Sequence, residues 1–215
     1  VEGITEWLPI SSTGHMILID ELIRLNASTE FKSMFMVVIQ LGAILAVVVL
    51  YFKKLNPFSR GKSSKMRRLT IELWKKIIIA CLPAAMLGFL IDDWLDAHLY
   101  NGFVVSMALI IYGILFIMIE NSNKKRVDSI RSVHAIDYQT ALFIGFFQVL
   151  ALIPGTSSSG ATIIGGMILG ASRAVSAEFS FFLAVPTMLA VTVYSLFLKK
   201  WGAEGTVQQK GYELI

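Results

Sequence analysis

The chain has 215 residues, of which 55% are hydrophobic and 16% charged, with a formal net charge of +4. Soluble domains carry roughly 25% charged residues, so this balance argues against a soluble protein and for one that lives in a membrane. A single cysteine, Cys81, excludes an internal disulfide.

The chain opens on Glu2 and Glu6, followed by Pro9-Ile10-Ser11-Ser12-Thr13-Gly14-His15. It begins without Met inside this polar motif, and no basic stretch leads into a short apolar core. The expectation is a fragment that lacks at least a short N-terminal segment. Glu2 and Glu6 are four residues apart, so on a helix they share one face. At membrane depth two such carboxylates cannot both ionise cheaply. They can share a proton, hold a cation such as Mg²⁺, or act as acid and base; the plainer alternative is a first turn in water at the membrane edge. His15 follows three hydroxyl residues and a glycine, which suits a general base or a proton donor to a leaving oxygen. Its plainer role is a buried hydrogen bond.

Apolar blocks then follow at 35–52, 77–91, 103–119 and 181–198. Each reaches about 17–20 residues, the length of a spanning helix, the 77–91 block only once Trp74 and flanking residues are counted. Gln40 is the one strongly polar member of the first block, and Met34, Met36, Met107, Met118, Met167 and Met188 read as packing. Between the first two blocks lie Lys53, Lys54, Arg60, Lys62, Lys65, Arg67, Arg68, Lys75 and Lys76, against Glu72 alone. The next connection carries Asp92, Asp93 and Asp96 and no basic residue; Lys124, Lys125, Arg126 and Arg131 follow the third block. Basic short loops stay cytoplasmic, so the 35–52 span runs inward, 77–91 outward and 103–119 inward. Trp74, Trp94 and Trp201 fall at span ends, where amphipathic rings belong. The basic loop reads as a lipid-facing cytoplasmic loop and not a nucleic-acid site. His98 and His134 read as surface loop residues.

Two shorter apolar runs, 141–153 and 161–171, flank a second hydroxyl-rich turn, Pro154-Gly155-Thr156-Ser157-Ser158-Ser159-Gly160, with Thr162 just beyond. Each is about half a span. Together they suggest a re-entrant hairpin, with one long kinked span through Gly155 as the competing form. The first turn precedes Glu30-Phe31 and a span; the second precedes Glu178-Phe179 and a span, at an offset of about 145–148 residues. Three spans separate the copies, so the second is inverted. The expected architecture is all-α: a polytopic membrane protein, one integral-membrane domain over 1–215, with inverted-topology repeats over about 1–91 and 141–215. Two re-entrant helical hairpins would then meet near mid-membrane, as in transporters. Helix N-termini suit phosphate, and Ser11, Ser12, Thr13, Thr156, Ser157, Ser158, Ser159 and Thr162 add donors beyond what simple capping explains.

These motifs resemble those of the undecaprenyl-diphosphatase family, the bacterial enzymes linked to bacitracin resistance. The likeness rests on residues 2–15, 39–43, 154–162, 169–173 and 178–186, and covers nearly the whole chain. Family members are longer, so one or two final spans are expected to be missing here. The resemblance implies a bacterial cell-membrane, multi-pass enzyme, often dimeric, whose active site faces outside. It implies removal of one phosphate from undecaprenyl diphosphate to give the carrier used for peptidoglycan, with a divalent cation, Mg²⁺ or Ca²⁺. By matching positions Glu2 and Glu6 would be the acidic, metal-holding pair, Ser12 the nucleophile and His15 its acid/base partner. Ser157, Ser159 and Thr162 would help hold phosphate, and Ser11, Thr13 and Ser158 are the further hydroxyls expected to bind the polyprenyl diphosphate. The family pattern in the second turn is Ser-Arg-Ser, and here Ser158 occupies the arginine position. A serine cannot supply a guanidinium's charge and planar fork of donors, so slowed or lost activity is expected of this copy. Arg173, eleven residues past Thr162, belongs at the hairpin base. The alternative functions are a transporter or flippase for a lipid phosphate or small anion, and an inactive binder.

Overall fold

The computed structural model describes residues 1–23, 28–99, 102–123 and 126–193. Every described element is helical apart from one isolated parallel bridge between Ile130 and Ala171. In chain order they are α1 (Glu2–Thr5), α2 (Ser12–Ile23), α3 (Thr29–Leu50), α4 (Phe52–Leu55), α5 (Ser64–Leu99), α6 (Gly102–Asn123), α7 (Tyr138–Val149), α8 (Ser158–Ile168) and α9 (Arg173–Val193). Three described segments are long and apolar enough to cross a membrane: Ser64–Ile91, Phe103–Asn123 and Arg173–Val193. The fourth expected span, at 35–52, is not among them: it falls in α3, a helix of 22 residues whose described apolar stretch, Val38–Leu50, is shorter than a span. Trp201, Lys124, Lys125 and the end of the second expected repeat lie outside the described residues.

Much of the expected basic loop is helix. Ser63 caps α5 by accepting a hydrogen bond from Met66 N, and Leu, Lys, Arg and Glu beyond it are good helix formers. The 36 residues of α5 extend about 54 Å, well past a hydrocarbon core of about 30 Å. Lys65, Arg67, Arg68, Lys75 and Lys76 therefore ride on a helix end, not in a loop. His98 also lies within α5, stacked on Trp94 at 4.8 Å, and His134 sits in a 3₁₀ turn, Val133–Ala135. Trp74 Nε1 donates to the Leu55 carbonyl at 2.7 Å.

The core gathers Ile44 and Val47 of α3, Leu73, Ile77 and Ala80 of α5, Ile144 of α7, and Phe179, Phe182 and Leu183 of α9. Lipid tails are as apolar as these side chains, so close packing must hold the helices together. Gly145 supplies one such approach, since a Cβ there would lie 2.3 Å from the Ala80 carbonyl oxygen. By contrast, Phe89, Leu90, Phe103, Ile110 and Ile117 stay exposed on α5 and α6, as lipid-facing residues should.

The 141–171 region is two helices, not one kinked span. α7 passes through a 3₁₀ turn, Leu150–Leu152, and the chain then reverses at Gly155, whose φ is +87°. α7 and α8 pack on each other, with Gly165 against the Phe147 ring. At the far end of α8 the Arg126 guanidinium donates to the carbonyls of Met167 and Ile168 at 3.3 and 2.9 Å. A cation there satisfies orphan carbonyls and opposes the negative helix end. Arg173 pairs with Glu120 at 3.2 Å, and Lys54 pairs with Glu178. Lys54, Arg126 and Arg173 thus collect around the start of α9 and the end of α8.

Candidate active site

The first turn is held by its own hydroxyls and carbonyls. Ser11 adopts φ +63°, a left-handed conformation that costs a non-glycine residue roughly 1–3 kcal/mol. Its Oγ accepts from Gly14 N at 3.4 Å, and its carbonyl accepts from His15 N at 3.2 Å. The same carbonyl lies 2.9 Å from His15 Nδ1. That contact needs the proton on Nδ1 and leaves Nε2 as the free nitrogen. Ser12 Oγ hydrogen-bonds the Glu6 carboxylate, so the hydroxyl's partner is Glu6 and not His15.

The second turn repeats the capping pattern. Ser157 Oγ accepts from Gly160 N at 3.1 Å and lies 3.1 Å from Ser159 Oγ. Gly155 is needed twice over: its φ is left-handed, and a Cβ would stand 2.6 Å from the Val105 carbonyl oxygen of α6. Gly160 brings the turns together, since a Cβ there would be 3.4 Å from the Pro9 carbonyl oxygen.

Between them lies a cleft of about 140 Å³. Its lining takes Thr5, Glu6, Leu8, Ser11, Ser12 and Thr13 from the first turn, and Ala151 with Thr156, Ser157, Ser158 and Ser159 from the second. Gln40 of α3 and Met188 of α9 complete it. Ten of these fall into pairs at two fixed spacings. Thr5 and Ala151, Ser11 and Ser157, Ser12 and Ser158, and Thr13 and Ser159 are each 146 positions apart, while Gln40 and Met188 are 148 apart. Both α2 and α8 present their N-termini at this lining.

The family model described as Bacitracin resistance protein BacA matches residues 1–214. The chain belongs to the BacA family. It is 58% identical to an undecaprenyl-diphosphatase of Enterococcus faecalis over 96% of this chain and 75% of the relative. It is 57% identical to one of Streptococcus thermophilus, over 87% and 65%, and 58% to one of Limosilactobacillus fermentum, over 92% and 71%.

In this BacA chain not every expected residue reaches the cleft. Thr162 is buried, donates to the Ser158 carbonyl at 2.9 Å and shares a hydrogen bond with Ser180 Oγ at 2.7 Å. His15 and Glu2 are not among the lining residues. Thr5, Leu8, Gln40, Ala151 and Met188 line the cleft without being among the residues expected there. Gln40 had a visible signal, a lone amide in an apolar block; Met188 looked like any packing methionine. Among the lining residues Glu6 is the only charged side chain. No Lys or Arg is among the lining residues and Arg173 is held by Glu120, so positive potential there comes from the helix ends, about half a charge each.

Among the described residues no cluster of three or more His, Cys, Asp and Glu side chains forms. Glu2 and Glu6 still fit a hard cation. They are oxygen donors beside hydroxyls, and Glu2, only 7% exposed, keeps a buried Oε1 with no partner. A buried acceptor left unpaired costs about 1–3 kcal/mol, and a cation would satisfy it.

Proposed function

We infer that the chain hydrolyses undecaprenyl diphosphate to undecaprenyl phosphate and phosphate, the reaction named for its BacA relatives. The observation that carries this reading is the single cleft in which Ser12, bonded to Glu6, faces the hydroxyls and helix end of the second turn. Glu6 takes the proton from Ser12 Oγ as that oxygen attacks the terminal phosphorus. The P–O bond to undecaprenyl phosphate breaks, and the lipid phosphate leaves with the bridging oxygen. Water then cleaves the phosphoserine, releases inorganic phosphate and restores the hydroxyl. The hydroxyl donors and helix N-termini hold the phosphoryl oxygens, and positioning with charge stabilisation is most of what this chemistry requires. His15, fixed through Nδ1, would act through Nε2, giving its proton to the oxygen of the leaving lipid phosphate and recovering it from the attacking water. Glu2 and Glu6 are the residues that would hold Mg²⁺ or Ca²⁺, which supplies positive charge to the diphosphate oxygens when bound.

The same reading places the cleft at mid-membrane, outward-facing, between two oppositely inserted hairpins of one repeated unit, in an enzyme that pairs as a homodimer. Two observations support the repeat and the depth. The lining pairs keep the spacing of the sequence motifs. α8, with 11 residues, is about 16 Å long from its basic end to the cleft, half of a hydrocarbon core of about 30 Å. The pairing also favours a second reading, transport of a lipid phosphate, which flux into vesicles without hydrolysis would select.

The deciding experiment is phosphate release from undecaprenyl diphosphate by purified protein in detergent, with and without chelator. Glu6→Gln keeps the size and loses the base, and turnover is expected to fall about 10²–10⁴-fold. Wild-type protein that releases no phosphate with Mg²⁺ or Ca²⁺ present overturns the phosphatase reading.

A further inference from the structure

We propose that Gln40 and Met188 set the direction of the substrate in the cleft, Gln40 taking a diphosphate oxygen and Met188 the first isoprene unit. This rests on the phosphatase reading above. Both side chains line the cleft, from α3 and α9, at the 148-residue spacing that also separates Glu30-Phe31 from Glu178-Phe179. They are therefore equivalent positions of the two halves.

Most of the paired lining cannot distinguish the two ends of an amphiphile. Ser11, Ser12 and Thr13 answer Ser157, Ser158 and Ser159, hydroxyl for hydroxyl. Polarity differs at Gln40 against Met188 and at Thr5 against Ala151, with the polar member in the first half each time. Leu8 is the one apolar lining residue of the first half. Glu6 reinforces the polar side, where a cation would gather the phosphates.

The chemistry suits each role. Gln40 is the only side chain of the lining that carries N–H donors, and a carboxamide offers two. An amide inside an apolar membrane helix is costly and marks function. With Ser158 at the position of the family arginine, that amide is the side-chain nitrogen donor of the lining, beside the backbone N–H groups of the helix ends. A methionine thioether is polarizable and adaptable, which suits an unsaturated C₅ unit joined to the ester oxygen of the inner phosphate.

Two non-hydrolysable probes separate the ends: farnesyl methylenediphosphonate, which has a prenyl tail, and methylenediphosphonate, which has none. Affinities are measured by calorimetry on the whole protein in detergent. Gln40→Met, of similar size, should weaken both probes alike, by about 10-fold or more for a lost hydrogen bond to a charged group. Met188→Gln should weaken the farnesyl probe alone, so that the preference for the tail falls at least several-fold; Met188→Leu should keep it. Gln40→Glu, which sets a second carboxylate against the diphosphate, should abolish binding of both and serves if Gln40→Met fails to fold. Unchanged affinities in Gln40→Met, or equal losses for both probes in Met188→Gln, overturn the proposal. Wild-type protein that binds the farnesyl probe but hydrolyses nothing overturns the phosphatase reading and leaves the orientation standing. Wild-type protein that binds neither probe overturns both.

Discussion

Ser158→Arg should raise phosphatase turnover about tenfold or more. Ser158 lines the cleft at the first residue of α8, half-buried. It is not the cap, since Ser157 Oγ performs that bond to Gly160 N. The Thr162 hydroxyl uses only the Ser158 carbonyl, which any residue provides. Arginine is also a good helix former, so the exchange costs the fold little. It adds a full positive charge and five N–H donors to a lining whose only charged side chain is Glu6. One donor aimed at developing transition-state charge is worth about 10²–10³ in rate; the helix ends and Gln40 already supply part of that, hence the lower bound. The assay is inorganic phosphate release from undecaprenyl diphosphate at saturating substrate, with matched thermal stability. Equal turnover in the two proteins, both folded, would show that the cleft has no missing charge at this position.

Gly155→Ala forces a side chain into a left-handed φ and against the Val105 carbonyl at 2.6 Å; strain and overpacking together should cost about 2–5 kcal/mol. An unchanged melting temperature in detergent would contradict the placement of this turn against α6. His134, in the turn at the basic end, has its pKa held below the usual range by burial first and then by Lys76, with Lys54 and Lys62 adding to it and Glu178 opposing. Its neutral form therefore contributes stability that is complete above the unfolded value of about 6.5 and is lost as pH falls through the lower folded value. Wild-type melting temperature should drop more steeply below about pH 6.5 than that of His134→Gln; parallel curves would exclude this titration.

Much of the site is legible because hydroxyl runs and paired carboxylates are costly in an apolar chain and announce themselves. The spacings of the two turns and of Glu30-Phe31 against Glu178-Phe179 recur between residues of the cleft lining. What the sequence withholds is rotation about each helix axis. Thr162 counts as a donor on paper, yet it lies four residues past Ser158 and spends its hydroxyl on that carbonyl and on Ser180. His15 follows Ser12 closely, but its ring turns back to the Ser11 carbonyl and Ser12 goes to Glu6. Met188 is one apolar residue among many until α9 is placed beside α3. The basic connection hides a helix because charge predicts the side of the membrane, while Leu, Lys and Arg together also favour helix.

The central claim is that the two hydroxyl turns, far apart in sequence, form one pocket. A Thr13→Cys and Ser159→Cys pair, in a Cys81→Ala background that removes the only native thiol, tests it in native membranes with a short bifunctional thiol reagent. The two positions line the same cleft, so intramolecular cross-linking is expected, and it should be suppressed by prenyl diphosphate. Thiols that never bridge, and that react with impermeant reagents from opposite sides of the membrane, would contradict the account.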